Sequence, residues 1–507
     1  MGYHGWAEDI VQAYEVPDNA RAVKTKVPVL TVQGKKDKIK EVPVKLPCYH
    51  TAPPWELIWD DLWLFVKKFY VLPFVVSPMF YHHGGKKHHP PLDQAWVPQW
   101  LQYGFINRAV TAFQRGFQRV VDPYFPSGEM DELYPSVGNL LCLSAHTVLI
   151  FTQLAFLASL PFVATLPFTL VLPYAIAFIL INQVVCMPLN AGVKGGILTS
   201  QKIPGDEHWD NHADESWIFL NGVSVGCHWL QGNLNRLART FHRPIIGVHN
   251  QTAGIIFDVI QCLLERCFYY GTIDTRACYA LIAGALADDT KKKVVLILHS
   301  QGGLEGSIIL DWLLSHCSRA HLKKLEIYTF GNAANHFNNP KIKEGYVVGH
   351  IEHYANDGDF VARWGATHFK SLVSRQEETG KKAHGPGVLG YLLGRCERQN
   401  SFNGRLFENK HTRGHLLNQH YLNRILPLNK TLTAVKEIEA EDGSFRPDAR
   451  FWRGRAFHKY DNDSVAENSR LWKYVNGRTP DDVRYHRKVN GYHRDVNGYH
   501  RDVNGYY

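Results

Sequence analysis

The sequence predicts an α/β fold: a mostly parallel sheet with helices on both faces, joined to an apolar helical hairpin and a polar C-terminal tail. Three observations predict it. Between about 215 and 425, apolar runs of strand length alternate with longer helix-like patterns, the rhythm of a parallel sheet covered on both sides. Ahead of that stretch, Leu133 to Val193 form 61 consecutive residues with no Asp, Glu, Lys or Arg. Beyond it, from 426, the chain is polar and of mixed charge and ends in YHRKVNG, YHRDVNG, YHRDVNG and YY (485–507).

The composition supports a buried core. Apolar residues are 45% of the 507, with 13 Trp, 24 Tyr and 26 Phe, which excludes wholesale disorder. The net charge of +9 is spread along the whole length, so it argues against a nucleic-acid partner and leaves attraction to anionic lipid open. The nine cysteines are scattered, with no C-x-x-C pair, which points to a reducing, cytosol-facing location. The first thirty residues hold no long apolar run, so a cleaved secretory signal is not expected. Trp6 stands where a myristoylation signal wants Ser or Thr.

Residues 1–135 read as an aromatic-rich N-terminal region. Within it, Trp59 to Tyr81 mixes charge, proline and large apolar groups, which predicts a buried or interfacial segment too short to span a bilayer. The HHGGKKHHPP run (82–91) offers His82, His83, His88 and His89, but its flexible surroundings fix no metal geometry, and it reads as a solvated loop.

Residues 136–190 read as a membrane hairpin or two transmembrane helices, at roughly 141–160 and 163–187, because the apolar run far exceeds the ~20 residues a crossing needs. A soluble helix of that length without charge would have no solvent face. The connection around Pro161 carries no charge, which favours a re-entrant hairpin in one leaflet or on a lipid droplet. Arg108, Arg115 and Arg119 precede the hairpin, and Lys194 and Lys202 follow it. Both ends therefore belong on the cytosolic side by the positive-inside rule.

From 215 to 425 the expected strands are 216–225, 244–250, 293–300, 325–331 and 349–357. Helices are expected over 228–241, 255–268 and 275–288, and again after Ser300. The segment 208–214 holds His208, Asp210, His212 and Asp214, but without a third ligand cluster it reads as a loop. Neither a metal nor a cofactor is expected. Residues 426–507 read as a disordered tail, since one Val per seven builds no apolar seam.

The strongest chemical signal is LILHSQGG (296–303). A buried strand runs into His-Ser-Gln-Gly-Gly and then an amphipathic helix, the setting a nucleophilic serine requires. The plain alternative is a helix N-cap serine. A serine nucleophile needs a base and an orienting carboxylate, in the order Ser, acid, His for this fold class. Downstream lie Asp357 and Asp359, then His411, His415 and His420. Oxyanion donors are expected from the backbone of Gln301, at a helix start, and of Val223 in the Asn221–Ser224 loop, where Gly222 allows close approach.

LHSQGG (298–303), YTFGNAANHF (328–337), HYANDGDFVARWG (353–365) and GHLLNQHYL (414–422) together resemble the fungal lipase-type α/β-hydrolases. The resemblance implies Ser300 as nucleophile, Asp359 as acid and His415 as base. Phe360 and Val361 follow the acid, and Leu416 follows the histidine, as in that family. Leu298 and Ala362 depart from its pattern. There is also a likeness to uncharacterised fungal hydrolase-like proteins with N-G-V on the first strand, which implies no activity. The expected function is a membrane-associated serine ester hydrolase cleaving a lipid or other acyl ester, with the segment from Arg375 to Asn409 as a lid. The alternatives are an inactive, membrane-anchored interaction module and an acyltransferase using the same triad.

Overall fold

The computed structural model describes residues 54–80, 116–191, 196–206, 209, 211–343, 345–370, 401–439 and 469–480. Short pieces at 445–447, 454–455, 487–489, 492–494 and 500–501 complete it. The histidines at 82–89, Arg108, Arg115, Lys194, His208, Asp210 and positions 375–400 of the expected lid lie outside the described residues, and the lid's expected end, from Arg405 to Asn409, is instead a strand of the main sheet.

Helix α1 spans Pro54–Lys68, α2 Val137–Val163 and α3 Phe168–Asn190. Strand β1 (Ile197–Thr199) is followed by β2 (Glu215–Leu220), α4 (Cys227–Phe241), β3 (Ile245–Val248), α5 (Ile255–Phe268) and α6 (Ile273–Ala287). Then come β4 (Lys293–His299), α7 (Gln301–His316), β5 (Leu325–Phe330), β6 (His350–Gly358), α8 (Phe360–Trp364), β7 (Arg405–Arg413) and β8 (Gly454–Arg455). The sheet order is β1-β3-β2-β4-β5-β6-β7-β8. The two edge strands pair antiparallel, and the six between them run parallel.

The central strands are apolar on both faces because both are covered. On β2, Trp217 and Phe219 enter one core while Ile218 and Leu220 enter the other. On β4, Val295 and Ile297 alternate in the same way with Val294, Leu296 and Leu298. Helix α4 closes the first face with Leu230, Leu234, Leu237 and Phe241; α6 and α7 close the second with Ile282, Leu286, Ile309 and Leu313. Each such side chain contributes about 1.5–3 kcal/mol by leaving water.

Three expectations change. The first strand ends at Leu220 rather than 225, which frees Asn221–Ser224 as a turn. From the N-terminal region, Leu57 packs in the second core and Met130 in the first. The domain does not stop at 425 either, since Leu428, Leu432, Leu471, Trp472, Tyr474 and Val475 are buried in the first core. What reads as a polar tail supplies aromatic closure of the sheet. The repeats pair as three antiparallel strands, Arg487–Val489, Tyr492–Arg494 and His500–Arg501.

Helices α2 and α3 are each long and apolar enough to cross a membrane. Their joint falls at Ala164–Pro167, with Pro161 in the last turn of α2 and Pro173 and Pro188 within α3. One side of α2 faces the domain: Asn139, Cys142, His146, Leu149 and Gln153 are its buried residues, spaced by three or four.

Candidate active site

Ser300 stands at the start of α7, at the carboxyl end of β4, with φ 60° and ψ −122°, and its side chain makes no capping hydrogen bond to the helix. A non-glycine residue holds such angles only when its surroundings impose them. Here the Ser300 N–H donates to the Phe330 carbonyl at 3.0 Å, and its own carbonyl accepts from Gly303 and Ala333. The glycine expected two residues before the serine is Leu298. Its bulk is taken up by Gly306, where a Cβ would lie 2.3 Å from Leu298 Cδ1. The departure and its compensation face each other across the strand–helix contact.

His415 and Asp359 arrive from the neighbouring carboxyl ends. Asp359 follows β6 and caps α8, its Oδ1 accepting from the Val361 N–H at 2.9 Å. His415 Nδ1 lies 2.8 Å from Asp359 Oδ2. Gly331, directly after Phe330, has φ +54°, and a Cβ there would lie 2.8 Å from His415 Cε1 and 2.9 Å from Asp359 Oδ2. The pair thus rests on the backbone that receives the Ser300 N–H. His299 fixes the other side, its ring 4.7 Å from that of His415 and its Nε2 2.8 Å from the His415 carbonyl oxygen. Ser300 follows β4, Asp359 β6 and His415 β7, all at the carboxyl edge of the sheet and each less than a tenth exposed.

Asp357 and the other two histidines lie elsewhere. Asp357 is ion-paired with Arg363 at 2.7 Å. His411 is exposed, with φ 58°. His420 Nδ1 accepts from the Leu416 N–H at 3.1 Å, while Nε2 meets the Pro78 carbonyl at 3.0 Å.

Sequence reasoning missed Tyr421, whose hydroxyl donates to Asp359 Oδ2 at 2.6 Å. It lies six residues after His415 in a π-helical turn, Leu417–Leu422, a spacing no strand or α-helix pattern flags. Burial opposes the charge on Asp359, but His415, the Tyr421 hydroxyl and the Val361 N–H together hold its carboxyl below the usual carboxylate range. Burial, reinforced by His415, lowers His299 to about 3, and burial lowers His420 to about 4. Both rings are therefore neutral at pH 7. His415 Nε2 is buried without a hydrogen-bond partner among the described residues.

The expected oxyanion loop abuts the serine. A Cβ on Gly222 would lie 2.3 Å from Ser300 Cβ and 2.9 Å from its Oγ, so only glycine lets this backbone approach. Val223 follows it. Ser224 has φ 61° and gives its N–H to Asp258 Oδ2 at 2.9 Å. Asp258 also accepts from Thr252 Oγ1 and the Ala253 N–H. Gln301 begins α7, where a helix N–H lacks an intrahelical acceptor. Its side chain accepts from Asn250 Nδ2 at 2.9 Å and donates to Glu265 at 3.2 Å.

The N-terminal segment covers the site. Phe65 packs edge-on against Phe360 and Trp364, the buried Asp61–Arg266 pair at 2.7 Å anchors α1 to α5, and the His415 N–H donates to the Val75 carbonyl. A cavity of about 420 Å³ opens beyond the histidine loop, between Ser77, Pro78, His411 and Arg413. None of the three clustered residues lines it. His212 Nε2 meets the Gly477 carbonyl, and Asp214 pairs with Lys292. Among the described residues no group of three or more His, Cys, Asp or Glu is arranged to hold a metal ion.

No family model, curated protein or solved structure matches this chain.

Proposed function

We propose that this chain is a membrane-associated serine ester hydrolase acting on a lipid or other acyl ester. The observation that carries the reading is the 2.8 Å contact between His415 Nδ1 and Asp359 Oδ2 beside a serine held at φ 60° between strand and helix. With Nδ1–H donated to Asp359, the Nε2 lone pair is left to act as base. Ser300 Oγ attacks the acyl carbonyl as Nε2 takes its proton. The oxyanion is met by the N–H groups of Gln301 and Val223, and the proton passes from Nε2 to the departing alcohol. Water, deprotonated by the same nitrogen, then releases the acid and restores Ser300. The two apolar helices support a substrate met at a membrane. The cations flanking them, together with seven cysteines in no disulfide among the described residues, support a cytosol-facing domain on the endoplasmic reticulum or a lipid droplet.

A fluorophosphonate probe tests this. Covalent labelling of the wild-type chain and none of Ser300→Ala is expected. Absence of labelling on folded wild-type protein would reject the hydrolase and favour an inactive, membrane-anchored interaction module.

A further inference from the structure

We infer that the hairpin enters a single leaflet and that the outer face of α1 lies on that same leaflet, so the protein docks on a phospholipid monolayer without crossing a bilayer. The domain-facing seam sets the depth. On α2 the last buried residue is Gln153, and on α3 the first is Asn182; between them none is buried. These two amides clamp the domain. Gln153 Nε2 and Asn182 Nδ2 both donate to the Ala253 carbonyl, at 2.6 and 2.9 Å, and Gln153 Oε1 accepts from the Ile256 N–H. Asn190 and Thr252 exchange two further hydrogen bonds.

Only the part beyond the clamp is free to insert. Ten residues separate Gln153 from the end of α2, and fourteen separate the start of α3 from Asn182. At 1.5 Å per residue these arms reach about 15 and 21 Å, against a hydrocarbon core of about 30 Å. Deeper insertion would carry the 251–254 loop, whose exposed Gln251 gives its backbone N–H to Asp274, into hydrocarbon at a prohibitive cost. The tip suits burial at mid-bilayer. Its Ser159 and Tyr174 hydroxyls bond each other at 2.6 Å, and Thr165 Oγ1 donates back to the Phe162 carbonyl.

The apolar surface continues past the hairpin. Phe257 of α5 packs edge-on against Phe156 and Phe178. Farther along α5, Ile260, Leu264 and Phe268 are exposed at every fourth position. Helix α1, packed on α5, turns Trp55, Trp59 and Trp63 outward, 64%, 71% and 56% exposed, with Lys67 over the Trp63 ring. Tryptophans on one helical face beside lysines fit the headgroup level of a membrane. The inference draws on the hairpin and α1, and stands or falls apart from the chemistry at Ser300.

The test is flotation of the full-length chain with phosphatidylcholine/phosphatidylserine liposomes and with triolein droplets coated by the same lipids. Comparable recovery on both is expected, because a coated droplet presents one leaflet; recovery on liposomes alone would overturn single-leaflet insertion. Trp59→Asp/Trp63→Asp should lower droplet binding about tenfold with an unchanged melting temperature, since both side chains are more than half exposed. If that variant melts early, Trp59→Ala/Trp63→Ala replaces it. Undiminished binding of a folded variant would remove α1 from the docking surface.

Discussion

The unpaired nitrogen of His415 gives the two nearby aspartates different work. Asp359 holds the opposite ring nitrogen, whereas Asp357 holds Arg363. Asp359→Asn should reduce ester cleavage by about 10⁴, the loss seen for an orienting aspartate in serine hydrolases, because the amide favours the wrong imidazole tautomer. Asp357→Asn should stay within about tenfold. Initial rates on a soluble acyl ester decide between them, and the reverse order would reassign the acid. At this scale the sequence distinguished the aspartates by the apolar pair after Asp359, and the structure displays a reason: Val361 closes the cap and Phe360 is buried. Tyr421 stayed hidden because a π-turn brings it to the carboxylate.

Where β4 meets α7, the large residue at 298 and the small one at 306 act as a matched pair. Gly306→Ala should cost about 1–3 kcal/mol by overpacking a filled contact. Leu298→Ala/Gly306→Ala should recover part of that loss, a non-additivity that denaturant melts of both single variants and the double would reveal. The strands and helices of the sheet were legible because fully buried parallel strands are continuously apolar. Strand β7 was not: RLFENKHTR alternates poorly, and its pairing with β6 fixes it more than its own residues do. Helix α1 was legible only as interfacial, since its tryptophans obscure the apolar period.

Across the whole domain, the buried carboxylates make stability depend on pH. Glu305, on α7, has neither oxygen hydrogen-bonded among the described residues. Burial, with Glu265, Asp274 and Asp258 nearby, raises its pKa well above the ordinary 4.5. The folded chain therefore keeps the proton after the unfolded chain has lost it. Its contribution is fully present below pH 4.5 and declines as pH rises toward the folded value, by up to about 1.4 kcal/mol per pH unit. Glu305→Gln, which cannot ionise, should melt like the wild type near pH 4 and at higher temperature near pH 8. Parallel slopes would show the proton to be absent. Such a carboxyl is invisible to pattern reading, since GLEGS looks like an ordinary helix start. The core contribution of 469–480 was equally hidden, because its few aromatics sit among charges.

Asp258 receives the Ser224 N–H on one side and the Thr252–Ala253 backbone and hydroxyl on the other, and the Ala253 carbonyl is in turn gripped by Gln153 and Asn182. One carboxylate therefore splices the two long apolar helices to the turn beside Ser300. The hairpin is part of the jig that sets the serine's surroundings, not a leash from which the domain hangs. Trimming it to obtain a water-soluble form removes a wall of that jig, and a crystal or assay of the trimmed protein would describe a different setting for Ser300.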